Sequence, residues 1–246
     1  MEITELFRLL EIPSEVEKQL IDYGRSRNAP IPNTVINKIL KRDEWDAWIK
    51  ELQALLGDDP DGFKILWELL NIISIYSHGA YVKRNISNDI FVATMKFCTR
   101  FLHEYHQTFQ TYKFVWAWWF PRQISLNEYR IGALEYEFVD GKDREIAVHI
   151  PSDADLRKSS VAQSIKSFKE FRTEYYPEWA DVDLTCDTWM LMPELKEMLG
   201  KESNILAFQN LFEIDTVDHD GTWDGFFPVL KLLMNNCLKK HHFNVK

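Results

Sequence analysis

The residues best suited to bind an anionic ligand form one short run between a strand-like segment and a helical one. The run is Arg157-Lys158-Ser159-Ser160-Val161-Ala162. Free backbone N–H groups and the positive end of a helix dipole meet where a helix begins, and two cations add local positive charge. The same pattern also fits an ordinary helix start, in which a serine side chain caps the helix and both cations are solvated. The sequence leaves these two interpretations open.

Three further side chains near this run could act on a substrate. Asp153 and Asp155 could bind an amine, although capping a turn is the commoner role of aspartate in a loop. His149 ends a strand-like run just before Pro151, and imidazole titrates close enough to neutral pH to serve as a general base. A core histidine bonded to a backbone carbonyl explains His149 equally well. Sequence alone does not decide between these roles.

Cysteine and histidine chemistry is weakly supported elsewhere. Cys186 lies beside Asp187, but no flanking histidine would activate its thiol, so a buried small apolar side chain is the better interpretation. His103 and His106 share one face of a predicted helix. No third ligand is evident, and no metal site is predicted.

Composition limits the classes of protein to consider. The chain has 246 residues, 46% hydrophobic and 27% charged, with a formal net charge of −9. This charge argues against general nucleic-acid or anionic-membrane binding. Three widely spaced cysteines match no zinc pattern and favour a reducing, cytoplasmic setting, and the acidic start of the chain lacks a signal-peptide pattern. The longest apolar run, 63–76, is interrupted by polar residues and predicts a core helix.

The apolar residues of the first part recur at helical spacing throughout. Residues 1–108 are therefore predicted to form an all-helical domain without any sheet. Helix starts are expected at capping residues, and helix ends at glycines. The predicted helices begin at Ser14 and Asn33, and further helices span 45–56, 63–79 and 88–105.

The pattern changes after residue 108, and residues 109–246 are predicted to form an α+β domain with helices on a mostly antiparallel sheet. Asp140-Gly141 is a hairpin signal between two strand-like runs. A helix over 160–174 follows, then a short helix ending at Gly200 and another capped by Ser203. The predicted strands are Ile131–Phe138, Glu145–Ile150, Leu184–Leu191 and Leu211–Val217. Residues 226–234 fit no single element.

Four stretches carry a resemblance to a known family. They are NDIFVATMKFCTRFLHEY at 88–105, YRIGALEYEF at 129–138, AVHIP at 147–151 and CDTWMLMPELKEMLGKESNILAFQNLFEI at 186–214. With the helical first part, they resemble bacterial acyltransferase-like proteins that join a helical N-acyltransferase N-terminal domain to a GNAT-like C-terminal domain. The resemblance covers most of the chain. It implies a divergent GNAT fold and acetyl-CoA or another acyl-CoA as donor.

The resemblance also implies roles for particular residues. GNAT proteins cradle the CoA pyrophosphate in a Gln/Arg-x-x-Gly-x-Gly/Ala loop after the central strand. Residues 157–162 occupy that place, with Arg157 and Ala162 matching and Ser160 standing where glycine is usual. Asn204 matches a late-helix catalytic position, whereas Leu211 replaces the tyrosine that serves as general acid.

These assignments lead to one expected function and one alternative. We expect transfer of an acyl group from CoA to an amine or hydroxyl of an unknown small-molecule acceptor, with Asp153, Asp155 and Trp189 contacting that acceptor. His149 and Asn204 are the expected catalytic residues. The alternative is a non-catalytic module that keeps the GNAT fold to bind a ligand or protein, which Leu211 and Ser160 favour.

Overall fold

A computed structural model describes residues 1–27, 31–142, 144–214 and 243–245. The chain divides into two units, Met1–Tyr129 and Arg130–Lys246. Residues 109–129, assigned above to the second domain, thus belong to the first unit. That residues 1–108 fold as an independent domain stays a prediction.

The first unit is helical up to its last residues. Its helices are α1 (Ile3–Leu10), α2 (Ser14–Ser26), α3 (Asn33–Lys38), α4 (Trp45–Leu56), α5 (Phe63–Ile72), α6 (His78–Lys83), α7 (Asn88–Met95), α8 (Phe97–Phe109) and α9 (Pro121–Ile124). A 3₁₀ turn, Arg42–Glu44, precedes α4, and a π-helical turn, Ile73–Ser77, joins α5 to α6. Every strand that the structure describes begins at or after Glu128, which confirms the prediction of a sheet-free first part. Within the described ranges, no helix is both long and apolar enough to cross a lipid bilayer.

The core of this unit comes from the apolar faces that the sequence spacing predicts. In each helix these side chains recur every three or four residues, so one stripe is removed from water. Fully buried examples are Leu6, Leu10, Val16, Leu20, Trp48, Leu52, Leu66, Leu70, Phe91 and Leu102.

Several helix boundaries differ from the predictions for local reasons. The helix predicted to stop near Gly79 continues to Lys83, because a π-helical turn keeps the backbone bonded past the expected end. The span 88–105 is two helices that meet at Lys96. Ser87 caps α7 by accepting from the backbone N–H of Ile90 at 3.3 Å. Ser14 and Asn33, predicted as capping residues, are themselves the first helical residues of α2 and α3, and each is preceded by a proline.

The loop before α5 is tied closely to the segment after α8. The backbone N–H of Phe114 donates to the Asp61 carbonyl at 2.9 Å. Gly62 follows with φ +72°, and a Cβ built on it would lie only 2.1 Å from the Phe114 carbonyl oxygen. Only glycine combines this left-handed conformation with so close an approach of two backbones.

The second unit is built on a four-stranded sheet in the order β1-β2-β3-β4. The strands are β1 (Glu128–Ile131), β2 (Leu134–Val139), β3 (Glu145–His149) and β4 (Leu184–Thr185). β2 and β3 pair antiparallel across the turn at Asp140-Gly141, which confirms the predicted hairpin. β3 and β4 pair in parallel, at Ile146↔Leu184 and Ala147↔Thr185. The sheet is therefore mixed, and the predicted α+β class is confirmed.

One predicted strand is split, and another is shorter than predicted. The span Ile131–Phe138 contains the end of β1 and the start of β2, because Gly132 turns the chain with φ +66°. The strand predicted over 184–191 ends at Thr185 and gives way to a 3₁₀ turn, Trp189–Leu191. The strand predicted over 211–217 corresponds to β5 (Phe212–Ile214), which begins one residue later, and residues 215–217 lie outside the described range. β5 pairs antiparallel with β6 (Phe243–Val245). Residues 226–234 also lie outside the described residues.

One long helix covers the apolar face of the sheet. This is α10 (Lys158–Tyr175), which replaces the predicted span 160–174. The rings of Tyr136 and Phe168 stack with centroids 3.9 Å apart, and Val161 and Phe171 are buried beside them. Two short helices follow the sheet, α11 (Leu195–Met198) and α12 (Asn204–Gln209).

Ser164, on α10, links the helix to the β1–β2 turn through hydrogen bonds. Its hydroxyl donates to the Ile131 carbonyl and accepts from the Leu134 N–H at 3.2 Å. The Tyr136 hydroxyl is 2.9 Å away, and it must donate because the single serine proton is already used. Burial raises the pKa of Tyr136 well above its usual range. One small side chain thus satisfies three buried polar groups.

We expect Ser164→Ala to lower the free energy of unfolding by about 1–3 kcal/mol, because it leaves these three groups without a partner. Urea unfolding of the variant and the wild type measures this difference. Ser167→Ala is the matched control, since Ser167 lies on the same helix and only accepts from Gln163 Nε2 at 3.1 Å near solvent. Equal loss in both variants would contradict the role given to Ser164.

Candidate functional site

A polar cleft of about 600 Å³ lies beside the start of α10, wholly within the second unit. We name it the α10 cleft. Three parts of the chain form its walls: the β1–β2 turn, the loop after β3 and the first three turns of α10. Its lining residues are Arg130, Gly132, Ala133, Asp153, Asp155, Ser159, Ser160, Gln163, Ser164 and Ser167. Eight of these ten residues carry a hydroxyl, amide or charged side chain, so the cleft can offer hydrogen bonds to a ligand.

Asp155 accepts several hydrogen bonds from residues at the N-terminus of α10. Its Oδ1 accepts from the Arg157 backbone N–H at 3.1 Å and from Arg157 Nε at 2.9 Å. Its Oδ2 accepts from Arg157 Nη2 at 2.5 Å and from the Ser160 hydroxyl at 2.6 Å. The carboxylate thus receives a bidentate guanidinium and a hydroxyl from the residues predicted to hold phosphate.

These contacts also fix the charge of the pair. Hydrogen bonds from Arg157, then the one from Ser160, hold the pKa of Asp155 well below its usual range. The same contact raises the pKa of Arg157. Both side chains remain well exposed, at 40% for Asp155 and 72% for Arg157. The pair is therefore ionised across the physiological range but open to solvent and to ligands.

The first turn of α10 presents N–H groups that can receive an anion. The amides of Ser160 and Val161 already donate to the Arg157 carbonyl, at 2.9 and 3.0 Å. Within the part of the chain that the structure describes, the amides of Lys158 and Ser159 have no hydrogen-bond partner. Neither Ser159 nor Ser160 caps the helix, whose first residue is Lys158. Among the N–H groups of residues 157–162, those of Lys158 and Ser159 are therefore the ones open to an anion.

Asp153 faces the same cleft with a different partner. Its Oδ1 lies 2.6 Å from Nη1 of Arg130, whose Nε donates to the Gly132 carbonyl at 3.3 Å. Arg130 is mostly covered, with 13% of its side chain exposed, whereas Asp153 is 57% exposed. The two aspartates that were candidates for an acceptor amine therefore line one cleft, each beside an arginine.

His149 lies on the polar face of the sheet, opposite the face that α10 covers. Its Nε2 is 3.0 Å from Oε2 of Glu137 on the neighbouring strand, and 27% of its side chain is exposed. Glu137 is almost fully buried. A carboxylate that accepts from one imidazole nitrogen leaves the other nitrogen as the acceptor that a general base needs. Sequence analysis missed Glu137, although the alternation of Glu135 and Glu137 along β2 places both on the face of His149.

The pairing of β3 with β4 is short and covers two residues of each strand. The Ile146 N–H still donates to the Asp183 carbonyl at 3.0 Å, but β4 ends at Thr185. Cys186 follows, fully buried, and burial raises the pKa of its thiol far above the usual range. This agrees with its interpretation as a small apolar side chain.

The segment after β4 is held together by Gln209, which sequence analysis also missed. Its Nε2 donates to the carbonyls of Met190 and Met192, at 2.9 and 2.8 Å. These bonds join α12 to the 3₁₀ turn that contains Trp189. Asn204 is the exposed first residue of α12, and Ser203 caps the helix as predicted, accepting from the Ile205 N–H at 3.2 Å. The physical link explains why the two segments 186–192 and 203–209 form one motif.

The structure thus brings some of the predicted site residues together and leaves others apart. Asp153, Asp155, Ser159 and Ser160 line the α10 cleft, and Arg157 contacts it through Asp155. The remaining predicted residues, Lys158, Val161, Ala162, His149, Trp189 and Asn204, are not among its lining. Their functional roles stay predictions.

Comparison with known families assigns the class. A model of the N-acyltransferase N-terminal domain matches residues 1–126, and one of the GNAT-like C-terminal domain matches residues 128–233. The chain therefore belongs to the acyltransferase family in which these two domains follow one another. This confirms the resemblance drawn from the sequence, and makes the protein a GNAT-like acyltransferase by class.

Solved structures share the fold over nearly the whole chain. An acyltransferase in complex with decanoyl-CoA and teicoplanin superposes with a TM-score of 0.75 at 16% identity, covering 99% of this chain and 87% of that one. Another, in complex with CoA and 10C-teicoplanin, gives 0.73 at 15% identity, covering 100% and 87%. A mutant acyltransferase with octanoyl-CoA gives 0.72 at 14% identity, covering 99% and 87%. None of the curated proteins compared with the sequence matches it.

Proposed function

We propose that this protein transfers an acyl group from acyl-CoA to an amine or hydroxyl of a small-molecule acceptor. The observation that carries the proposal is the first turn of α10, which follows β3 of the GNAT-like sheet. The N–H groups of Lys158 and Ser159 and the positive charges of Arg157 and Lys158 lie there. The solved neighbours bind decanoyl-CoA, octanoyl-CoA and teicoplanin. Decanoyl-CoA and acetyl-CoA are therefore the donors to test, with teicoplanin as an acceptor probe.

In the proposed complex, the CoA diphosphate lies on the amides of Lys158 and Ser159, assisted by Arg157 and Lys158. Helix N-termini bind such anions through their free N–H groups and dipole. Ser160, which stands where the family has glycine, directs its hydroxyl to Asp155. Because Ser160 is helical, its Cβ leaves the amides of Lys158 and Ser159 accessible to the diphosphate.

The pantetheine arm would then run from the start of α10 past the end of β3 towards His149. His149 takes the proton from the attacking amine or hydroxyl, and the new bond forms at the thioester carbonyl carbon. Backbone N–H groups near the end of β3 stabilise the tetrahedral oxyanion. The carbon–sulfur bond then breaks, and the CoA thiolate receives the proton held by His149. This route needs no tyrosine at position 211.

We expect Arg157→Ala to weaken CoA binding by about 1.5–3 kcal/mol, because it removes one charge-assisted contact to phosphate. Isothermal titration of both proteins with CoA is the measurement. Lys166→Ala removes the same charge from an exposed position two turns further along α10, where Lys166 pairs only loosely with Glu170 at 3.9 Å. Equal affinity of Arg157→Ala and the wild type would place the diphosphate elsewhere.

One observation favours a second function, that of a non-catalytic binding module. Leu211, directly after α12, cannot donate a proton where the family has a tyrosine. CoA binding without turnover of decanoyl-CoA or acetyl-CoA across an acceptor panel would support this alternative.

We further propose a cytoplasmic location and no nucleic-acid partner. Cys98 and Cys186 are free buried thiols, and thiols persist where the compartment is reducing. The net charge of −9 opposes association with polyanions. Fractionation of the native host cell, with the protein detected by antibody, tests the location.

A further inference from the structure

The groups offered to a phosphate at the start of α10 are already engaged by a carboxylate of the same loop. Asp155 receives the Arg157 guanidinium through two nitrogens, the Arg157 backbone N–H and the Ser160 hydroxyl. A carboxylate and a phosphate oxygen accept from these donors in the same way. The side chain of Asp155 therefore occupies the position of an anionic ligand.

Asp155 occupies the edge of the Arg157 guanidinium formed by Nε and Nη2, and a phosphate that binds the same edge must displace it. Arg157 presents Nε to both oxygens of Asp155, each at 2.9 Å, and Nη2 to Oδ2. This bidentate geometry uses the edge of the guanidinium that binds planar anions best. A diphosphate that approaches Lys158 and Ser159 also meets the negative charge of Asp155, which lies three residues before Lys158.

We propose that Asp155 competes with the diphosphate of the donor for Arg157 and Ser160, and thereby sets the affinity for acyl-CoA. This inference rests on the proposed function and gives Asp155 a role other than contact with the acceptor. The carboxylate holds the loop in order while the site is empty. The donor must displace it, and it returns as the product CoA leaves.

The exposure of the pair makes this exchange feasible. Side chains that are 40% and 72% exposed form an ion pair of modest strength, because water screens both charges. Such an ion pair can order the loop when no ligand is bound, and a ligand with several negative charges can still break it. A buried pair of the same geometry would instead exclude the ligand.

The test is isothermal titration of CoA into Asp155→Asn, which keeps the size of the side chain and an oxygen acceptor for Ser160. We expect CoA to bind roughly 2- to 5-fold more tightly than to the wild type, the range an exposed ion pair allows. Glu170→Gln is the matched control, because Glu170 carries the same charge on α10 but pairs with Lys166 and is not among the residues that line the α10 cleft. We expect it to change CoA affinity less than twofold.

A double variant isolates the competition. In an Arg157→Ala background the contested guanidinium is absent, so adding Asp155→Asn should gain clearly less affinity than it does in the wild type. Circular dichroism and urea unfolding of each variant show that the loop change leaves the fold intact. Equal gains with and without Arg157 would overturn the proposal, because they would show only a general charge effect.

The opposite sign also overturns it. If Asp155→Asn binds CoA as weakly as the wild type or more weakly, Asp155 orients Arg157 for the phosphate instead of competing with it. If neither protein binds CoA, the proposed function fails, and inorganic pyrophosphate becomes the probe. Tighter pyrophosphate binding by Asp155→Asn would still support competition, whereas equal or absent binding would reject it.

Discussion

Replacing His149 by glutamine is expected to lower the turnover of decanoyl-CoA by ~10²–10⁴, the usual contribution of a general base. The physical reason is the pairing of His149 Nε2 with Glu137 Oε2 at 3.0 Å, which orients the ring. Glutamine keeps a polar side chain of similar reach but cannot take a proton at neutral pH. Release of the CoA thiol, with teicoplanin as acceptor probe, measures turnover.

The melting temperature separates a catalytic His149 from a structural one. Lost turnover with an unchanged melting temperature and unchanged CoA affinity supports the base. A lowered melting temperature, with activity in proportion to the folded fraction, would reject it. His103→Gln serves as the control, because His103 is an exposed histidine of α8 that packs edge-on to Tyr112 in the first unit.

The largest stability effect is expected from Gly62→Ala. A Cβ at this position would lie 2.1 Å from the Phe114 carbonyl oxygen, so one of two backbones must move. The φ of +72° adds the cost of a left-handed conformation, about 1–2 kcal/mol. With overpacking at about 1–3 kcal/mol, we expect a loss of about 2–5 kcal/mol in the free energy of unfolding.

Tryptophan fluorescence during urea unfolding reports this loss well, since six of the nine tryptophans precede Arg130. Gly79→Ala is the control, because a Cβ there meets nothing within 4 Å and Gly79 lies inside α6. We expect Gly79→Ala to be neutral or slightly stabilising, as alanine is the better helix former. If the Gly62→Ala protein is as stable as the Gly79→Ala protein, the loop before α5 rearranges without a loss in the free energy of unfolding, which contradicts the prediction.

The fold was predictable where the signals are local. Asp140-Gly141 marks a hairpin through its own backbone preferences, and Ser87 and Ser203 cap helices through contacts within three residues. The prediction of a strand over 184–191 was wrong because a contact with a residue distant in the sequence determines where the strand ends. Gln209 binds the carbonyls of Met190 and Met192 and holds a 3₁₀ turn that the pattern of that segment does not reveal.

The candidate site was predictable in its residue types more than in its contacts. The pairing of Asp155 with Arg157 spans two positions and is a common local turn, so spacing alone could have suggested it. Gly132 gave a second missed signal, since an isolated glycine in a strand-like run often marks a turn or bulge. Glu137 could be found only through the strand register, because its partner His149 lies on the other strand of the hairpin.

The parallel pairing of β3 with β4 has a consequence for the order of folding. β2 and β3 meet across a short turn, so their pairing requires little loss of chain entropy and can form early. β4 reaches β3 only after the whole of α10 has formed and packed through Phe168 on Tyr136. The pairing of β3 with β4 is therefore expected to form last during refolding. In hydrogen exchange, the amide of Ile146, which donates to the Asp183 carbonyl, should become protected later than the amide of Ala147, which strand alternation directs towards β2.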